Sequence, residues 1–157
     1  MIITETRPEP QWIKSIGHLQ VKDSSIRVMV SPDLLKFYKK LVDDHFNFLT
    51  HFPAHGGHIT ISNPNIHQYF DEDKAGKLVE LYEDKDIEFR YNPDIIVGGK
   101  SRDFRNFYMK VDSMEIESIL HYLKLKAPPR GLHLTVANTK GGIRPNFGKM
   151  IEIKQFT

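Results

Sequence analysis

The chain has 157 residues, 39% of them hydrophobic, 27% charged, with a formal charge of +2; this fits one domain, 1–157, able to bury its own core. It has no cysteine, which excludes disulfides, cysteine-based metal sites and a cysteine nucleophile, and the expected setting is cytoplasmic. No apolar run approaches the ~18 residues of a membrane span, and Met1–Pro8 does not read as a secretion signal; the mild basicity suits a small anionic ligand better than a long nucleic-acid track.

In chain order, the first strand expected is near Leu19-Gln20-Val21, and Ile26–Val30 alternates as a second. Ser31-Pro32 then gives an N-cap and a first helical residue, and Leu34, Leu35, Tyr38, Leu41 and Val42 recur at helical spacing up to about Phe46. Pro53–Gly57 breaks the chain before a strand at His58–Ser62. A short helix near Lys74–Tyr82, a strand near Ile87–Tyr91 and a shorter one at Ile95–Val97 follow. The first plan then returns. Phe107–Val111 is a strand, Asp112 and Glu115 resemble a capping box, and Ile116, Ile119, Leu120 and Leu123 mark a helix face. Pro128–Gly131 breaks the helix, His133–Ala137 is the closing strand, and Met150–Ile153 offers a last one. The expected fold is therefore α+β, with two strand–helix–strand lobes related by an approximate two-fold axis around a central groove.

Two strings inside this repeat match: His58-Ile59-Thr60-Ile61-Ser62-Asn63 and His133-Leu134-Thr135-Val136-Ala137-Asn138. At this composition, His-apolar-Thr-apolar is expected about 0.05 times by chance, so two copies are roughly a one-in-several-hundred event. Strand alternation turns His58, Thr60 and Ser62 to one face and Ile59 and Ile61 to the other, and likewise separates His133 and Thr135 from Leu134 and Val136. The residue types suit phosphodiester cleavage. Histidine titrates near neutrality, so one imidazole takes a proton from the attacking oxygen while the other gives one to the leaving oxygen. Two threonine hydroxyls donate to the non-bridging phosphate oxygens.

The pair resembles the signature of the 2H phosphoesterase superfamily, named for two His-x-Thr/Ser motifs. By that resemblance His58 and His133 are the catalytic pair, Thr60 and Thr135 bind phosphate, the fold is bilobal, and no metal or other cofactor is needed. The stretches Val30–Tyr38, Pro53–Thr60 and Tyr108–Asn138 are similar to the phage anti-CBASS phosphodiesterases, formerly labelled Swiss-army-knife RNA-repair-like proteins. Those enzymes destroy cyclic di- and trinucleotide alarm signals of bacterial immunity. The resemblance implies a cyclic oligonucleotide substrate such as 3′,3′-cyclic GMP–AMP, a phage counter-defence role, and a host bacterial cytoplasm as the setting. An RNA 2′,3′-cyclic phosphodiesterase is the alternative, and a non-catalytic nucleotide-binding module a third.

Further candidates flank the motifs. Lys140 and Arg144 lie in a Gly-rich stretch after the second motif, and Lys100 and Arg102 in Gly98–Arg102; each pair is a candidate anion contact. Trp12, Tyr69 and Tyr91 are candidates to stack on bases. His51, His55 and His58 have spacings of four and three, but Pro53, Gly56 and Gly57 break the helix that a metal site of that spacing needs.

Overall fold

The first two strands form a hairpin. β1 (Ile13–Lys22) and β2 (Ser25–Val30) pair antiparallel with Lys22 opposite Ser25, so only Asp23 and Ser24 make the turn. Both have positive φ, 52° and 60°, the left-handed pair that a two-residue turn needs to follow the strand twist. The computed structural model describes residues 11–99 and 104–139 and the backbone of 152–153. β1 begins six residues before the expected strand, and Leu19, Gln20 and Val21 are its far end.

After β2, Ser31 accepts a hydrogen bond from the Asp33 amide and Pro32 opens α1 (Pro32–Phe46), as the sequence pattern predicts. Leu35, Tyr38 and Val42 are its buried face, at spacings of three and four. β3 (His58–Ser62) follows, then α2 (Glu72–Tyr82), which starts two residues before the expected helix because Asp71 caps it. β4 (Ile87–Tyr91), β5 (Ile95–Gly98) and β6 (Asn106–Asp112) come next.

The expected capping box is displaced by one residue. Ser113 caps α3 (Met114–Leu123) by accepting from the Ile116 amide, and it donates to the Glu88 carbonyl at 2.7 Å. Asp112 instead accepts from Arg90 Nε at 2.7 Å. β7 (His133–Asn138) and a two-residue β8 (Glu152–Ile153) complete the order; Met150 and Ile151 lie outside the described residues.

The fold is α+β. Its strands run in the order β4-β1-β2-β3-β7-β6-β5-β8, with each pairing antiparallel. β4 also pairs with β6, at Arg90 opposite Asp112 and Tyr91 opposite Val111, which closes six strands into a barrel. The Arg90–Asp112 bond, the Ser113–Glu88 bond and the Asn92 amide on the Lys110 carbonyl all lie at this seam.

One apolar cluster joins the strands to the helices. Val28, Ile59, Leu134 and Met109 occupy one row across β2, β3, β7 and β6, and all are fully buried. α1 reaches this cluster from two sides, through Phe46 against Phe107 and through the Tyr38 hydroxyl on the Tyr91 hydroxyl at 3.0 Å. Tyr91 is therefore a core residue and not a base-stacking one. Its burial and the Tyr38 contact push its ionisation well above the usual tyrosine range.

Ser24 holds a left-handed conformation that costs an L-residue about 1 kcal/mol or more and glycine almost nothing. Ser24→Gly is expected to stabilise the protein by about 1 kcal/mol, a rise of roughly 2–4 °C in Tm for a chain of this size. Thermal unfolding of both proteins checks it, and an unchanged or lowered Tm contradicts the turn.

Candidate active site

The two matching strings lie on neighbouring strands. β3 and β7 meet through Ile59 opposite Leu134, and the antiparallel continuation places His58 opposite Thr135 and Thr60 opposite His133. Ile59 and Leu134 are wholly buried, so their strand neighbours turn to the other face, where all four are partly exposed. The histidines are thus diagonal neighbours, a separation of about 7–8 Å, with a threonine beside each.

Each string is built in the same way. Gly56 and Gly131 both take φ of +73°, a conformation that favours glycine, and close a turn onto the carbonyls of Pro53 and Pro128. The amides of Val30 and Val111 then bind the carbonyls of Gly57 and Leu132 and dock each string on the preceding strand of its unit. Both strings also carry a register shift at one matching position. Arg27 opposes Thr60 but Ile26 opposes Ser62, and Tyr108 opposes Thr135 but Phe107 opposes Ala137. The extra residues are Ile61 and Val136, both fully buried.

The first bulge corrects one expectation. Strict alternation puts Ser62 beside His58 and Thr60, but the inserted Ile61 carries it to the side of Ile26, where it is buried and meets His67 Nδ1 at 3.1 Å. The outward-facing set therefore ends at Thr60.

The glycine turns also fix the imidazoles. His58 Nδ1 lies 3.0 Å from the Gly56 carbonyl, and His133 Nδ1 lies 3.2 Å from the Gly131 carbonyl. A carbonyl only accepts, so in each ring Nδ1 carries the hydrogen and Nε2 is left for proton transfer. Removal from water lowers the His58 pKa below its usual 6.5; the Gly56 carbonyl opposes this, and the positive charges of Arg27, His55 and His133 add to it. His58 is biased towards the neutral imidazole, the form that accepts a proton.

The strands outside the pair extend this face with unlike residues. On β2, Arg27 stands opposite Thr60 and Met29 opposite His58. On β6, Tyr108 stands opposite Thr135 and Lys110 opposite His133, with the Tyr108 ring edge-on to the His133 ring at 5.4 Å. Arg27 is held in turn by Gln20 of β1, whose side-chain oxygen accepts from Nε at 2.7 Å. Sequence reading did not single out Arg27, Tyr108 or Lys110. Their signal was available: each lies between two core positions on a strand that flanks a His-x-Thr string, so alternation turns it to the opposite face.

A polar cleft of about 320 Å³ opens on the β2 side of His58 and Thr60, lined among others by Lys22, Arg27, His55 and Asn63. Of the other candidates, Trp12 is not brought to this face; it lies under the Arg90 guanidinium, 5.3 Å from the ring centroid. Tyr69 is largely exposed, at 75%. Lys100, Arg102, Lys140 and Arg144 lie outside the described residues. His51 pairs backbone to backbone with Asn138, and His55 is exposed in the turn before β3. Among the described residues, no three His or carboxylate side chains converge as a metal site needs.

Comparison with protein-family models, with curated proteins and with solved structures found no match to this chain.

Arg27→Gln removes one positive charge facing His58, so the His58 pKa is expected to rise towards 6.5. NMR titration of the imidazole signals checks this, with the wild-type His58 resonance moving at a pH below 6.5. An unmoved midpoint in the variant means that Arg27 does not face His58.

Proposed function

We propose that this protein is a phosphodiesterase of the 2H phosphoesterase type, which opens cyclic di- or trinucleotides with His58 and His133 as base and acid. In this reading the units β2–α1–β3 and β6–α3–β7 are two lobes related by an approximate two-fold axis between β3 and β7. The observation that carries it is the β3–β7 register: two imidazoles on one diagonal, each with Nδ1 held by a glycine carbonyl and Nε2 left for proton transfer.

A phosphodiester bound between the imidazoles meets one on each side. Neutral His58 takes the proton from a ribose 2′-hydroxyl as that oxygen bonds to phosphorus. The bond from phosphorus to the 5′-oxygen breaks, and protonated His133 supplies the proton that the departing oxygen needs. The product is linear, with a 2′,3′-cyclic phosphate at one end and a 5′-hydroxyl at the other. The histidines have then exchanged states. His133 can accept a proton from water attacking the cyclic phosphate, and His58 can return one to the ribose oxygen that leaves. Thr60 and Thr135 donate to the non-bridging oxygens and keep the attacking oxygen in line. Arg27, opposite Thr60, faces the charge that develops there.

The expected outcome of His58→Ala or His133→Ala is a fall in turnover of about 10²–10⁴-fold with the fold kept, because each variant removes one proton transfer. Thr60→Ala and Thr135→Ala are expected to lose less, about 10²-fold, as one of several oxyanion donors. Near-normal turnover of 3′,3′-cyclic GMP–AMP by either histidine variant overturns the acid–base assignment.

Replacing the 2′-hydroxyl beside the scissile phosphate with hydrogen removes the nucleophile and little else. The deoxy analogue is expected to bind and to resist cleavage, with products followed by mass spectrometry. Equal cleavage of both compounds points to direct attack by water. Cleavage of neither, with turnover of an RNA 2′,3′-cyclic end, favours the RNA-repair activity, and binding with no turnover of any of them favours a non-catalytic module. Turnover is expected to persist in excess EDTA, since the two imidazoles supply both proton transfers. Loss on chelation, restored by a divalent ion, returns attention to His51, His55 and His58.

A further inference from the structure

The face that carries the four motif side chains does not end at β2. Antiparallel partners share a face, so Arg27 aligns with Thr60 on one side and with Gln20 on the other. Two residues along β1 from Gln20, Lys22 points the same way and stands opposite Ser25. The cleft follows this row. Lys22, Ser25 and Arg27 line one wall, His58 and Thr60 its floor, and His55, Asn63 and Asn65 the remainder.

The character of the lining is cationic. Lys22, Arg27 and His55 share the lining with Asp23, its one acidic side chain. Asp23 accepts hydrogen bonds only, so it suits the hydroxyl and amino groups of a nucleoside and not its phosphate. Lys22 lies two strands and one pleat from Thr60, roughly 12 Å between backbones at ordinary strand spacing, and its long stem shortens that span. A cation there is too far to touch a phosphate held by Thr60 and Thr135, and well placed for the next phosphate along a chain. The β6 side differs, presenting Tyr108 and Lys110 in place of Arg27 and Met29.

We propose that the cleft between Lys22, Arg27, His55 and Asn63 is a second-nucleotide subsite, which binds the phosphate adjacent to the one being cut. It rests on the His58–His133 reading for the position of the scissile phosphate. The substrate class follows: a nucleotide with at least two phosphodiester phosphates binds more tightly than a single cyclic phosphate, and Lys22 accounts for the difference.

The test separates the two claims. His133→Ala in the full chain slows turnover by about 10²–10⁴-fold, so binding is read by calorimetry before appreciable cleavage. The probes are 3′,3′-cyclic GMP–AMP, with two phosphates, and adenosine 2′,3′-cyclic phosphate, with one. Adding Lys22→Gln is expected to raise the Kd of the first about ten-fold, the worth of one charge-assisted hydrogen bond, and to change that of the second less than two-fold. Lys22 is exposed in a hairpin, so folding is kept; Lys77→Gln on the exposed face of α2 controls for lost net charge. Equal weakening of both probes, the same loss from Lys77→Gln, or no binding of the dinucleotide overturns the subsite. Failure of the wild-type protein to turn over either probe overturns the acid–base reading instead, and the binding comparison still decides the cleft.

Discussion

The single pairing of Ile59 with Leu134 is the contact on which the rest depends. It joins the half of the sheet built on β1, β2 and β4 to the half built on β5, β6 and β7, and the barrel does not close without it. Strand side chains alternate with a period of two, so a one-residue slip here turns one histidine into the core and leaves the other outside. The register is held by burial. Val28, Ile59, Leu134 and Met109 form one fully buried row, and full burial of such a side chain contributes about 1.5–3 kcal/mol. The polar row beside it is aligned by the same force although it contributes little of it.

Each string then leaves its alignment quickly. The bulges at Ile61 and Val136 put an extra residue into β3 and β7, so within each of these strands only the His and the Thr keep the outward face. On the other side the glycines at +73° turn the chain sharply enough for a carbonyl to meet the imidazole two residues on. A longer regular strand would give more polar groups on the face and a histidine free to rotate. The short one gives two ordered imidazoles with a single tautomer each.

Much of this was legible in the sequence, for particular reasons. The α1 start was written in Ser31-Pro32, the helix faces in the spacing of Leu35, Tyr38 and Val42 and of Ile116, Ile119 and Leu120, and the paired strings in their repetition. Three features were not. The shift from Asp112 to Ser113 as the α3 cap depends on Arg90 drawing the Asp112 carboxylate into the barrel seam, a partner 22 residues away. The loss of Ser62 from the outward face depends on a bulge that no local residue announces. Arg27, Tyr108 and Lys110 gain meaning only through cross-strand register, because each is an ordinary polar position until its neighbour is known.

An acid–base pair needs its members to differ, and the two strings alone make them alike. Their turns, their bulges and the glycine carbonyl at each imidazole Nδ1 repeat nearly residue for residue. The flanking strands break the equivalence. β2 places the Arg27 guanidinium one strand from Thr60, and its charge adds to burial in lowering the His58 pKa. β6 places the Tyr108 ring against His133, and an aromatic edge brings no net charge. Gln20 holds Arg27 by one nitrogen, which leaves the remaining guanidinium donors to be satisfied elsewhere. The two matching strings supply alike geometry, and in the proposed mechanism the unlike strands beside them set the base apart from the acid.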